Sequence, residues 1–206
     1  NIMKYLLVVL SFLIICLSIV LPACKSDSAK KDSVSAQSTG IQSHNSYEIL
    51  MPFHEAALKN RIDQVAKHLE RGTDVNITDE DGRSPLMYAS YNGNVEIMKL
   101  LISHGADVNL QDKYGRTALM MAASGPFPQA VKLLLDNNAN PDLTDKEEHY
   151  TALMYAAAEG QTEVVKILIA YKADPFQKDA DGDDALTFAR NNGHTDVVKL
   201  LESLKK

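Results

Sequence analysis

The sequence predicts an all-α solenoid of about five stacked helix-turn-helix repeats with short β-turn tips, and three observations predict it. A six-residue unit recurs as Pro52-Phe53-His54-Glu55-Ala56-Ala57, Pro85-Leu86-Met87-Tyr88-Ala89-Ser90, Ala118-Leu119-Met120-Met121-Ala122-Ala123, Ala152-Leu153-Met154-Tyr155-Ala156-Ala157 and Ala185-Leu186-Thr187-Phe188-Ala189-Arg190. Its anchors Phe53, Leu86, Leu119, Leu153 and Leu186 lie 33, 33, 34 and 33 residues apart, and a separate register, Lys99, Lys132, Lys166 and Lys199, repeats the last three intervals. Self-similarity at a fixed period of about 20–50 residues marks a repeat array. The apolar fraction of 45%, with only 6% aromatic residues and no Trp, suits a core of small and aliphatic side chains.

The chain before the repeats divides in two. Met3-Lys4 is followed by an apolar run from Leu6 to Val20, 15 residues long, short for a membrane span of about 20 residues and suited to the apolar region of a signal peptide. The run closes in Leu21-Pro22-Ala23-Cys24, which resembles the lipobox of bacterial lipoproteins, with Pro22 a departure from its usual pattern. That resemblance implies a signal peptide over 1–23 and a lipid on Cys24. Plain secretory cleavage and an uncleaved anchor are the other readings. Several acyl chains on one cysteine would hold the protein permanently, whereas one chain binds a bilayer marginally. Lys25, not Asp, follows Cys24, which leans towards the outer membrane. Residues 24–47 read as a Ser-rich disordered tether, with serines at 26, 28, 33, 35, 38, 43 and 46 and almost no apolar surface to bury.

Within each repeat the signals come in order. Ser84, Thr117 and Thr151 are N-caps, and Pro85 stands at a first helical position, where its missing N–H is no loss. A short first helix ends at Gly93, Gly160 and Gly193. Glu96, Glu163 and Asp196 open the second helix, where an acid suits the positive end of the dipole. That helix carries Val95, Met98, Leu101 and Ile102 at helical spacing and closes at Gly72, Gly105 and Asn138, with Lys172 as a strained equivalent. Asp-x-x-Gly-x-[Ser/Thr] at Asp79 to Ser84 and Asp112 to Thr117 turns the chain into the next copy, and one extra residue falls between Asp145 and Thr151.

The unit resembles the ankyrin repeat, whose Gly-Ala-Asp-Val-Asn exit stands intact at Gly105 to Asn109 and as Gly-Thr-Asp-Val-Asn at Gly72 to Asn76. Repeats fall at about 49–81, 82–114, 115–148, 149–181 and 182–206, forming a domain over 48–206. Met87, Met120 and Met154 replace the family's usual His, which His54 keeps. Lys67 and His68 stand where Leu100 and Leu101 stand later, and the last copy ends in Glu202 to Lys206. Such polar outer repeats stop a solenoid from stacking further.

Little chemistry is legible. Cys16 and Cys24 lie in or beside the leader, so nothing downstream can form a disulfide or act as a thiol nucleophile. The histidines at 44, 54, 68, 104, 149 and 194 are scattered, without the i, i+4 spacing of ligands on one helix. The acidic run Asp179 to Asp184 fails the calcium-loop pattern, since Gly182 at its sixth position puts Gln177 first and Phe188 twelfth. It falls instead in phase with the other turns. A formal charge of -6 is a poor match to phosphate backbones. The expectation is therefore no enzyme, cofactor, metal, nucleic acid or small-molecule substrate.

The resemblance implies protein binding through turn tips and first helices. Carried over, these are Glu80, Asp81, Arg83, Tyr91 and Asn92; Lys113, Tyr114, Arg116 and Ser124; Lys146, Glu147, Tyr150, Ala158 and Glu159; and Ala180, Asp181, Asp183, Asn191 and Asn192. Tyr and Arg dominate interface hot spots. Tyr88, Met121, Tyr155 and Phe188 share one phase and are expected to pack between repeats. Two irregularities stand out as candidate contacts: Gly125-Pro126-Phe127-Pro128, expected to turn Phe127 to solvent, and the tip at Glu147 to Tyr150. The reading is a lipid-anchored protein-interaction module on the periplasmic or surface side of a bacterial envelope. A dedicated inhibitor or protector of one envelope enzyme, or a surface-exposed host-interaction protein, are its alternatives.

Overall fold

The caps written into the sequence start the helices. In the computed structural model, which describes residues 51–204, Ser84 Oγ, Thr117 Oγ1 and Thr151 Oγ1 accept from the N–H groups of Met87, Met120 and Met154 at 3.4, 3.3 and 3.2 Å, and Asp184 Oδ1 does the same for Thr187 at 3.0 Å. Each such cap stabilises its helix by about 0.5–2 kcal/mol. The expected signal peptide, Cys24, the tether and His44 lie outside the described residues.

Ten helices result among the described residues, in five pairs: α1 (Phe53–Leu58) with α2 (Ile62–Glu70), α3 (Pro85–Tyr91) with α4 (Val95–Ser103), α5 (Ala118–Ala123) with α6 (Pro128–Asp136), α7 (Ala152–Ala158) with α8 (Thr162–Ala170), and α9 (Ala185–Asn191) with α10 (Thr195–Ser203). Among these residues no strand occurs, and none of the helices is long and apolar enough to cross a membrane. First helices stack on first helices and second on second. Every residue of α5 and α7 is buried, which is why those helices are nearly all Ala, Leu and Met. The three methionines standing for His are fully enclosed; Met154 Sδ accepts from the Thr151 N–H at 3.5 Å, while His54 donates to the Ile77 carbonyl at 3.0 Å.

The second helices end as expected in left-handed residues, Gly72, Gly105, Asn138 and Lys172, with φ of +74°, +87°, +66° and +65°. Asn60 takes the conformation of the inter-helix glycines in the first repeat, at φ +55°. His68, polar where Leu101 is apolar, donates to the Met51 carbonyl at 2.7 Å and stacks on Phe53 with centroids 4.8 Å apart. At the other end Arg190 ties α9 to Glu202 of α10 at 2.6 Å.

Neighbouring repeats are also joined through the loops that follow the second helices. Asp107 N–H donates to Asn76 Oδ1, Asn140 N–H to Asn109 Oδ1, and Asp174 N–H to Asp142 Oδ1, at 2.8, 2.8 and 2.9 Å. Asn76 and Asn109 return a bond through Nδ2 to the carbonyls of Gly105 and Asn138. In the fourth repeat this rung position is Phe176, 47% exposed.

Candidate partner-binding surface

An aspartate anchors every tip. Asp79 Oδ1 accepts from the N–H groups of Asp81 and Arg83 at 2.9 and 2.8 Å, and Asp112 and Asp179 hold Tyr114 with Arg116, and Asp181 with Asp183, in the same way. The acidic run at 179–184 is thus a repeat turn. The tips are then laced to one another: Lys113 N–H donates to the Asp81 carbonyl, Lys146 N–H to Tyr114, and Ala180 N–H to Glu148, each at 2.9 Å. Gly115 shows how tight the joint is, since a Cβ there would lie 2.8 Å from the Lys146 nitrogen, and its φ is +81°.

The same bonds identify the inserted residue. Asp145 Oδ1 accepts from Glu148 and Tyr150, so Glu148 corresponds to Asp81, His149 to Gly82 and Tyr150 to Arg83. Glu147 is the extra residue, pushed outward while the inter-tip bond shifts by one place and survives. His149 takes the left-handed conformation that Gly82, Gly115 and Gly182 hold elsewhere, at φ +59°.

A family model described as Ankyrin repeats (3 copies) matches residues 53–145 and again residues 124–205. The chain is an ankyrin-repeat protein. Ankyrin repeats indicate a protein–protein interaction module, and the family is typically a non-enzymatic scaffold. A 48-residue segment is also 40% identical to part of acyl-CoA-binding domain-containing protein 4 of Oryza sativa subsp. japonica, covering 23% of this chain and 14% of that protein. The acyl-CoA binding in that name belongs to that protein.

The ankyrin array sorts the predicted contact residues by what they already hold. Arg83 and Arg116 are only 7% and 8% exposed. Arg83 reaches Asp81 at 2.6 Å and Arg116 reaches Asp112 at 2.8 Å, so both guanidinium groups brace their own turns. Arg116 also lies under the Tyr114 ring, 4.6 Å from its centroid, which props that ring outward at 41% exposure. Phe127 is not turned to solvent, correcting that expectation. It is half-buried, its ring lying where a Cβ on Gly93 would come within 2.4 Å of it. It fills the joint that Asn94 fills by bonding to Ala57 and Leu58, and that His194 fills by bonding to Ala158. Asn92 is exposed but bonded back to Leu58, as Asn192 is to Ala158.

The exposed tip residues are Glu80, Lys113, Tyr114, Lys146, Glu147, Glu148 and His149, with Ala180 and Asp181 in the last turn; Asn191 is exposed on α9. Asp81, Tyr91, Ser124, Glu159 and Asp183 are half-buried, and Ala158 is buried. Tyr150 is half-buried too, edge-on between Tyr155 and Phe188 with centroids 5.8 and 5.1 Å away. Met121, Tyr155 and Phe188 are buried at the expected inter-repeat phase.

Ionisation follows these environments. Burial, with the Asp79 carboxylate beside it, pushes the Tyr88 hydroxyl up to about 12. Burial also works to raise Asp79, but the bonds from Tyr88, Arg83 and Asp81 outweigh it and hold the carboxyl below its ordinary value. Burial and the negative charges of Glu148, Asp179, Asp145 and Asp181 push the Tyr150 hydroxyl up. Burial likewise raises Glu159, against the pull of His194. Among the described residues no three His, Cys, Asp or Glu side chains are placed to share a metal ion.

Proposed function

We propose that this chain is a lipid-anchored protein-binding module of a bacterial envelope, held through Cys24 and facing the periplasm or the cell surface, and that it grips its partner with the row of turn tips. The observation carrying this reading is the continuous lacing of the tips by backbone hydrogen bonds. It presents Glu80, Lys113, Tyr114, Lys146 and Glu147 in one fixed order through main-chain bonds, leaving these side chains exposed. A pre-ordered surface loses little freedom on binding. The outward Glu147 is the centre of the proposed contact, because it is the one tip residue that the repeat does not require.

Restoring the regular turn tests this. Deleting Glu147 together with His149→Gly and Tyr150→Arg reproduces the Asp-x-x-Gly-Arg pattern of Asp79 to Arg83. Binding to the partner recovered by cross-linking in intact cells should weaken by about tenfold, the loss of roughly one good interface contact. Unchanged affinity would remove the tip from the interface. For the anchor, Cys24→Ser should move the protein from the membrane fraction to the soluble one.

A further inference from the structure

Charge is distributed unevenly over this molecule. Along the helices several lysines pair with a carboxylate three or four residues away: Lys59 with Glu55, Lys99 with Glu96, Lys132 with Asp136, Lys166 with Glu163 and Lys199 with Asp196. In the tip row the arginines and Lys178 pair with carboxylates of their own turns, but the outermost charges do not. Lys113, Glu147 and Glu148 are exposed and form no ion pair with any described residue, and Lys146 spends its ammonium on a neutral acceptor, the Lys113 carbonyl at 3.2 Å. The row opens on the exposed Glu80 carboxylate, and two cations then sit side by side in its middle, next to the outward Tyr114 ring. Beyond them the sign reverses at Glu147 and Glu148, and stays negative through Asp181 and Asp183 of the next turn. The lacing at Tyr114 and Glu148 fixes these two halves against each other.

Resting on the tip-binding reading above, we propose that the row recognises an extended protein segment with two charge blocks, an acidic block seated on Lys113, Tyr114 and Lys146 and a basic block seated on Glu147, Glu148 and Asp183. The cations are flanked unequally, by one exposed carboxylate at Glu80 on one side and by Glu147, Glu148 and Asp183 on the other, so the segment is favoured in the direction that seats its basic block on the larger acidic side. A nucleic acid or an anionic bilayer is disfavoured by the same arrangement, since either would bring phosphate against the acidic half. Single exposed pairs are weak, about 0.2–1 kcal/mol, so the pattern selects register and partner while the aromatic ring supplies packing.

Selection of a random peptide library on the full chain reads this directly. Enriched peptides should carry an acidic and a basic block in one consistent order. Lys113→Glu with Lys146→Glu should abolish selection for the acidic block alone, and Glu147→Lys with Glu148→Lys should abolish selection for the basic block alone. Each pair should weaken an enriched peptide about tenfold or more, with thermal unfolding unchanged because these side chains are exposed. Peptides that compete at the tips but show no charge order, or an order the reversals do not alter, would overturn the charge pattern and leave tip binding standing. Absence of enrichment, or peptides insensitive to every tip substitution, would overturn both.

Discussion

The turn from Asp79 to Arg83 and the turn from Asp145 to Tyr150 hang from the same device and spend it differently. In the first, the aspartate closes a five-residue loop, Gly82 takes the left-handed corner, and Arg83 is drawn inward onto Asp81. In the second, the aspartate closes six residues, His149 takes the corner at a conformational cost, and a tyrosine replaces the arginine and locks into the next repeat's Phe188. The anchor and the inter-tip bond are insensitive to loop length. What the extra residue changes is only the outward profile. A repeat array can therefore alter its contact surface at one tip without disturbing its stacking.

The anchors give the largest test of that contrast. Asp145 is buried and holds two N–H groups and the Tyr155 hydroxyl, at 2.9 Å, so Asp145→Ala should cost about 3 kcal/mol in urea unfolding. Asp79 makes equivalent bonds but is half-exposed, and water can replace part of them, so Asp79→Ala should cost about 2 kcal/mol. An equal loss at both sites would make the two turns energetically alike. The corner comes next. His149→Gly should stabilise the fold by about 1 kcal/mol by relieving a left-handed residue, whereas Gly82→Ala should destabilise it by a similar amount.

Smallest is the half-buried Glu159, the C-cap of the helix that follows the second turn. Burial raises its folded-state value above the unfolded one of about 4.3, so ionising it at neutral pH opposes folding. Glu159→Gln should raise the melting temperature slightly at pH 7. The gain should fade as the pH falls below about 4, where the carboxyl is protonated in both states. A gain that persisted there would trace to packing instead of charge.

Much of this was legible along the chain because an array repeats its local rules. Ser84, Thr117 and Thr151 cap the helices they were expected to cap, and the acidic run at 179–184 is a turn in phase. What escaped were contacts that only the folded turns and joints bring about. The buried ion pairs of Arg83 and Arg116 look like exposed tip charges until the fold back onto Asp81 and Asp112 is seen. Phe127 reads as an exposed loop aromatic, yet aligning it with Asn94 and His194 would have placed it in the inter-repeat joint. The extra residue could be bracketed between Asp145 and Thr151 but not singled out, since only the bonding of Asp145 distinguishes Glu147 from its neighbours.

The side-chain rungs that link the loops after the second helices also give the array a direction of growth. Each rung is an oxygen offered forward to an amide of the following loop, and the positions Asn76, Asn109 and Asp142 all offer one. Phe176, at the corresponding position of the fourth repeat, carries no such acceptor. A duplicated copy entering between the second and third repeats would find an acceptor waiting on one side and supply one on the other. Lengthening by internal duplication among the repeats joined by these rungs is therefore chemically open to this array.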